Sequence, residues 1–265
     1  MVRITSALVL ILALCLSGSS TIHSTKLFVP SWYGMVQIAP GIFVDSKMPT
    51  TQRAVFLKVC TEAKNQTAQF YGGLVTQPEI YGCSDKKCFT SFGGVTALAK
   101  SFGQSKMLLS PSGQTTPIIS HEWSHTELYA RMGGIFTMRR VPQWFDEGIA
   151  VVVSEEPRYS EEVWNKIVGS NTPYPKRNEL VSLRDWFAAV KKYADKEKAH
   201  RDPDGPSIVY LMAGHEVRMW LQHVGQKGLL DLIARVGAGE GFQATYDAIE
   251  CRQLSSLCRQ LWFND

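Results

Sequence analysis

Ile118-Ile119-Ser120-His121-Glu122-Trp123-Ser124-His125 contains the pattern His-Glu-x-x-His. On an α-helix, residues four apart lie about 40° apart around the axis and roughly 6 Å along it. His121 and His125 can therefore offer two imidazoles to one metal ion from the same helix face. Glu122 directly follows the first His, so it points beside the metal, where a base for an activated water is needed. The flanks predict a helix over about 117–132. Thr115 and Thr116 are N-cap candidates, Pro117 suits the first turn, and Gly133-Gly134 is a stop signal.

Two histidines leave a metal site one protein ligand short, and a carboxylate is a common third. The stretch Val141-Pro142-Gln143-Trp144-Phe145-Asp146-Glu147-Gly148-Ile149-Ala150 supplies one. Glu147 follows His125 with 21 residues between them, enough for the end of one helix, a turn, a loop and the start of another. Pro142 fits the opening of that second helix.

Together, the His-Glu-x-x-His run and Pro-Gln-Trp-Phe-Asp-Glu-Gly-Ile-Ala resemble the gluzincin zinc peptidases, and most closely the peptidase-MA-like group. The resemblance implies that His121, His125 and Glu147 bind Zn²⁺ and that Glu122 is the catalytic base. It implies an α+β, zincin-like fold with a small mixed sheet in an N-terminal lobe, a helical C-terminal lobe and the metal between them. The spacing to Glu147 is a few residues longer than in familiar members, and residues 134–141 would absorb the difference. The family draws an oxyanion donor from the C-terminal lobe. Tyr210 stands where the family's Tyr-led helix begins and is the first choice, with His215 second. The family also binds substrate backbone on an edge strand. Met107-Leu108-Leu109-Ser110 matches that element by position, although an ordinary core strand reads the same way.

Other residues near the motifs have less specific readings. Asp146 could orient a ligand His through its second ring nitrogen. A first-turn acid favoured by the helix dipole is the preferred role. Trp123 and Trp144 read as core. Arg131, Arg139 and Arg140 read as a solvated surface flanking the connecting loop.

The N-terminus is organised separately. Arg3 precedes an almost wholly apolar run from Ile4 to Leu16, followed by Ser17-Gly18-Ser19-Ser20. This is the pattern of a secretory signal peptide over residues 1–20, with the peptidase-like domain over 27–265. The run is short for a membrane span, which needs about 20 residues, so an uncleaved anchor is the lesser reading. The expected location is exported, periplasmic or secreted. Removing Cys15 with the signal leaves Cys60, Cys83, Cys88, Cys251 and Cys258, an odd number. Cys83 and Cys88 read as a loop closed by a disulfide. Cys251 and Cys258 are too far apart on one straight helix to be bridged, although a turn between them would permit it.

The net charge of +4 is too mild to imply nucleic acid, and the expected partner is a peptide or protein substrate. Residues 26–37 show little pattern. Thr50–Tyr71 reads as a helix with Val55, Val59, Ala63 and Phe70 inward. Strands are expected at 42–44, 79–81, 88–92 and 106–110. Helices are expected at 159–168, 183–194, 207–224, 229–236, 243–251 and 255–263. Three functions fit: an exported zinc metallopeptidase, an inert binding protein on the same scaffold, or a zinc amidase acting on cell-wall crosslinks.

Overall fold

A computed structural model describes residue 23 and residues 25–94, 98–198 and 207–253 of the chain. The expected signal peptide, Cys15, Cys258 and the helix expected at 255–263 lie outside the described residues. The chain divides into two compact units. The first takes the described residues up to Thr61 together with Gln77–Ile119; the second takes Glu62–Thr76 and the described residues from Ser120 onward. The architecture is α+β, with a five-stranded mixed sheet and a helical majority.

The first unit holds the sheet. Its elements in chain order are β1 (Met35–Ala39), β2 (Ile42–Asp45), the start of helix α1 (Thr50–Tyr71), β3 (Glu79–Gly82), helix α2 (Lys86–Ser91), β4 (Ala99–Phe102) and β5 (Lys106–Leu109). The strand order is β1-β2-β3-β5-β4; β2, β3 and β5 run parallel, with antiparallel β1 and β4 at the two edges. The Met107–Ser110 segment is therefore not an edge. β5 pairs with β3 on one side and β4 on the other, and Met107, Leu108 and Leu109 are fully buried. A strand sheathed on both sides reads as a continuous apolar run, which is how this one reads in the sequence.

Residues 88–92 form no strand. Asp85 caps a short helix by accepting the Cys88 N–H at 2.7 Å, and a Cys83–Cys88 disulfide closes the loop as expected. This local side-chain bond offers the backbone an alternative to a sheet ladder. Residues 26–37 are more ordered than their pattern suggests. Two 3₁₀ turns lead into β1, and Leu27 is fully buried with its carbonyl accepting from the Tyr81 hydroxyl at 3.1 Å.

Helix α1 has the expected bounds, but three of the four expected inward positions are offset by one residue, Ala63 alone holding its place. Phe56, Cys60, Ala63, Thr67 and Tyr71 are buried, whereas Val55 is exposed. The true stripe includes Thr67, whose hydroxyl donates to the Ala63 carbonyl at 2.9 Å, so a search for apolar residues alone misplaces it. Helix α3 (Thr116–Arg131) carries the His-Glu-x-x-His motif. Both α1 and α3 end in a Gly-Gly pair with positive φ. In each, the second glycine donates back to the carbonyl five residues earlier: Gly73 to Ala68 at 2.7 Å, and Gly134 to Tyr129 at 2.8 Å.

The second unit continues with α4 (Gln143–Ser154), α5 (Glu161–Gly169), α6 (Leu183–Lys198), α7 (Ile208–Gly237) and α8 (Phe242–Gln253). Gly225 interrupts α7 where the sequence expects one helix to close, so α7 is two helical stretches that meet at this residue. It sits at φ 62° as a kink within α7. An aromatic cluster organises this core. Phe145 meets Trp220 and Phe242 edge-on at 5.6 and 4.9 Å, and Trp220 stacks on Tyr246 at 4.6 Å. Such pairs add about 0.5–1.5 kcal/mol each beyond the area they bury. By locking Trp144 and Phe145 into the core, they set how α4 presents the next two residues, Asp146 and Glu147.

Candidate metal centre

His121, His125 and Glu147 converge. One ligand atom from each lies within 4.8 Å of the others, and all three belong to the second unit. Glu147 Oε2 is 3.3 Å from His121 Nε2 and 3.8 Å from His125 Nε2. A tetrahedral ion with bonds of about 2.0–2.1 Å would place its ligands roughly 3.3 Å apart, so the spacing suits a metal. An independent observation agrees. Glu147 is buried, its Oε1 accepts from Gln143 Nε2 at 3.1 Å, and its Oε2 has no hydrogen-bond partner. A buried carboxylate oxygen without a partner is costly, and a cation held with the two imidazoles would satisfy it. The residues fit a metal ion.

Asp146 takes the role that its sequence made the lesser one. It is buried, and its Oδ1 lies 2.7 Å from His125 Nδ1. That contact ties up Nδ1 and leaves Nε2 to face Glu147. Its other oxygen accepts from the Tyr129 hydroxyl, and the Tyr129 ring stacks on His125 at 6.2 Å. The position in the first turn of α4 still holds, but a buried carboxylate with two direct partners is fixed by them rather than by the helix dipole. Sequence reasoning missed Tyr129. Its signal was its spacing, since it extends the His121–His125 ladder by four more residues on the same face.

The electrostatics follow from this crowding of carboxylates. Burial lowers the His125 pKa, but Asp146, Glu147 and Glu122 outweigh it and push it up to about 10. Burial raises the Glu147 pKa, yet His121, His125 and Gln143 together hold it below its usual value. Burial and then the charge of Asp146 push the Tyr129 hydroxyl well above the ordinary tyrosine range.

Glu122 is partly buried on α3 between the two histidines. Tyr210, on the first turn of α7, packs with its ring 6.1 Å from His121 and 4.8 Å from Trp186. Burial first and the charge of Glu147 second raise its pKa, so the hydroxyl keeps its proton at neutral pH. His215 points to other work. Its Nδ1 lies 2.8 Å from Glu161 Oε2 and its ring stacks on Trp164 at 4.5 Å, which pins α7 to α5.

The remaining candidates are structural. Trp123 is buried with its indole N–H on Thr76 Oγ1 at 3.1 Å, and Trp144 is buried in the aromatic core. Arg131 is not simply solvated. It donates to Glu127 at 3.0 Å and to the Gly73 carbonyl at 2.8 Å. Glu127 is fully buried and also accepts from the backbone of Val75 and Thr76, so it clamps the loop after α1 onto α3. Comparison with protein-family models, with curated proteins and with solved structures returns no match for the chain.

Proposed function

We propose that this chain is an exported zinc metallopeptidase built as a zincin-like unit. The observation that carries the reading is the convergence of His121, His125 and Glu147 with Glu122 set between the two histidines. A donor set of two imidazoles and one carboxylate suits zinc. When bound, zinc would polarise a carbonyl and acidify a water.

The chain's own residues have the following parts. Asp146 fixes the His125 ring so that Nε2 stays presented. Glu122 takes a proton from the attacking water as its oxygen adds to the scissile carbonyl carbon. It then delivers that proton to the departing nitrogen as the C–N bond breaks. Tyr210, protonated at neutral pH, donates to the developing oxyanion. The Cys83–Cys88 disulfide and the N-terminal signal pattern support export into an oxidising compartment. No helix among the described residues is long and apolar enough to cross a membrane.

The test is metal content followed by turnover. Elemental analysis of the purified protein should give about one zinc per chain, lost in His125→Ala. Peptide-library screening should then find cleavage that a chelator abolishes. Glu122→Gln should keep the metal and the fold and lose catalysis by ~100-fold or more. Chelator-sensitive cleavage that survives Glu122→Gln would disprove the mechanism. Stoichiometric zinc with no turnover of peptides would favour an inert binding protein, and turnover confined to cell-wall amides would favour the amidase reading.

A further inference from the structure

The second unit contains a cavity of about 620 Å³ that the metal centre does not use. Arg139, Arg140, Lys176 and Arg177 line it together with Trp144 and Val181, and among the described residues no acidic side chain does. Four of the chain's 28 Lys and Arg residues therefore stand around one concavity.

Two of the four are partly committed. Arg140 Nη1 donates to the carbonyls of Val236 and Gly237 at 3.3 and 2.6 Å. Arg177 lies over the Trp144 ring at 5.4 Å, with Glu216 Oε2 3.5 Å from its Nε. Arg139 and Lys176 are exposed, and neither side chain joins an ion pair among the described residues. The neighbouring Glu179 accepts from the Lys192 ammonium at 2.9 Å and from the Lys176 backbone N–H at 2.8 Å, so it offsets part of the Lys176 charge. Charge of one sign around a concave wall focuses its field on an incoming anion.

The wall chemistry narrows the ligand. A phosphate site gathers backbone N–H groups on one point, typically at a helix start. Here the first amides of α4 are already occupied: Gln143 donates to the Val181 carbonyl at 2.9 Å and Trp144 to the Leu180 carbonyl at 3.0 Å. The cations are instead spread around a wall that includes Val181, itself 51% exposed. That arrangement suits several separated carboxylates with an apolar side chain between them. We propose that this cavity binds an acidic, extended segment of polypeptide. Its carboxylates pair with Arg139, Lys176 and Arg177, and an apolar side chain rests on Val181 beside Trp144. This binding does not depend on the metal or on peptidase activity.

Fluorescence anisotropy of a labelled peptide of alternating Glu and Leu tests it on the full chain, with and without chelator. The peptide should bind equally in both conditions and weaken as salt is added. A Gln-for-Glu peptide should not bind. The double variant Arg139→Ala/Lys176→Ala should weaken binding by about tenfold, since rim charge pairs are individually modest. Its metal content and Tm should match those of the parent. Unchanged affinity in that variant, equal binding of the Gln peptide, or no acidic-peptide binding alongside capture of inorganic pyrophosphate, an oligonucleotide or anionic vesicles would each overturn the proposal.

Discussion

Gly148 lies so close to Ala213 that a Cβ added to it would sit 2.4 Å from the Ala213 carbonyl oxygen. The partner helix returns the arrangement, because a Cβ on Gly214 would sit 2.4 Å from Val151 Cγ1. This close approach of α4 and α7 brings Tyr210, one turn before Gly214, beside the helix that carries Glu147. Gly148→Ala should therefore destabilise the protein by about 1–3 kcal/mol, the usual scale of overpacking against backbone that cannot yield. Urea denaturation measures it. Gly169→Ala is the control, since nothing lies within 4 Å of its added Cβ, and it should be neutral or slightly stabilising. Equal stability of the two variants would contradict the packing account.

Asp146 holds the His125 ring by Nδ1, so its loss should be felt at the metal rather than in the fold. Asp146→Asn should keep the far-ultraviolet circular dichroism of the parent and bind zinc about 10–100-fold more weakly. Competition with a chromophoric chelator reads this directly. Unchanged affinity would mean that the contact orients nothing.

Glu127 meets two backbone amides, the Thr76 hydroxyl and the Arg131 guanidinium while fully buried. Glu127→Ala leaves those donors unmatched and should cost about 3–5 kcal/mol. The denaturation midpoint should fall accordingly. A change below about 1 kcal/mol would show that water replaces the carboxylate without penalty.

Tyr210 is both a packed aromatic and the proposed oxyanion donor, and Tyr210→Phe separates the two roles. The ring contacts with Trp186 and Tyr159 survive the change. Zinc and fold should be retained, and once a substrate is found kcat should fall by at most 10²–10³. An unaltered kcat would leave Tyr210 as core alone.

What the sequence determined by itself was local in origin. The four-residue spacing of His121 and His125, the Gly-Gly stops and the cap at Thr115 act within one or two helical turns, so they predict α3 to within a residue at each end. The pattern around Glu147 likewise named a third candidate ligand, by its resemblance to the gluzincin stretch, and Glu147 does converge with the two histidines. Tertiary structure decided what depends on partners distant in the chain. Asp146 became the His125 anchor because α4 is rotated by its aromatic neighbours until that carboxylate meets Nδ1, 21 positions away in sequence. β5 became an interior strand because β4, whose pattern did not announce a strand, pairs with its open side. The stretch from Cys88 turned helical because the Asp85 cap outcompeted a weak strand preference. The basic cavity drew its walls from three separated segments, around 139–144, 176–181 and 242–243, whose charges look like scattered surface until folding sets them together. Local patterns persist in any chain context, whereas register, rotation and cavity walls exist only once the core has chosen which faces to bury.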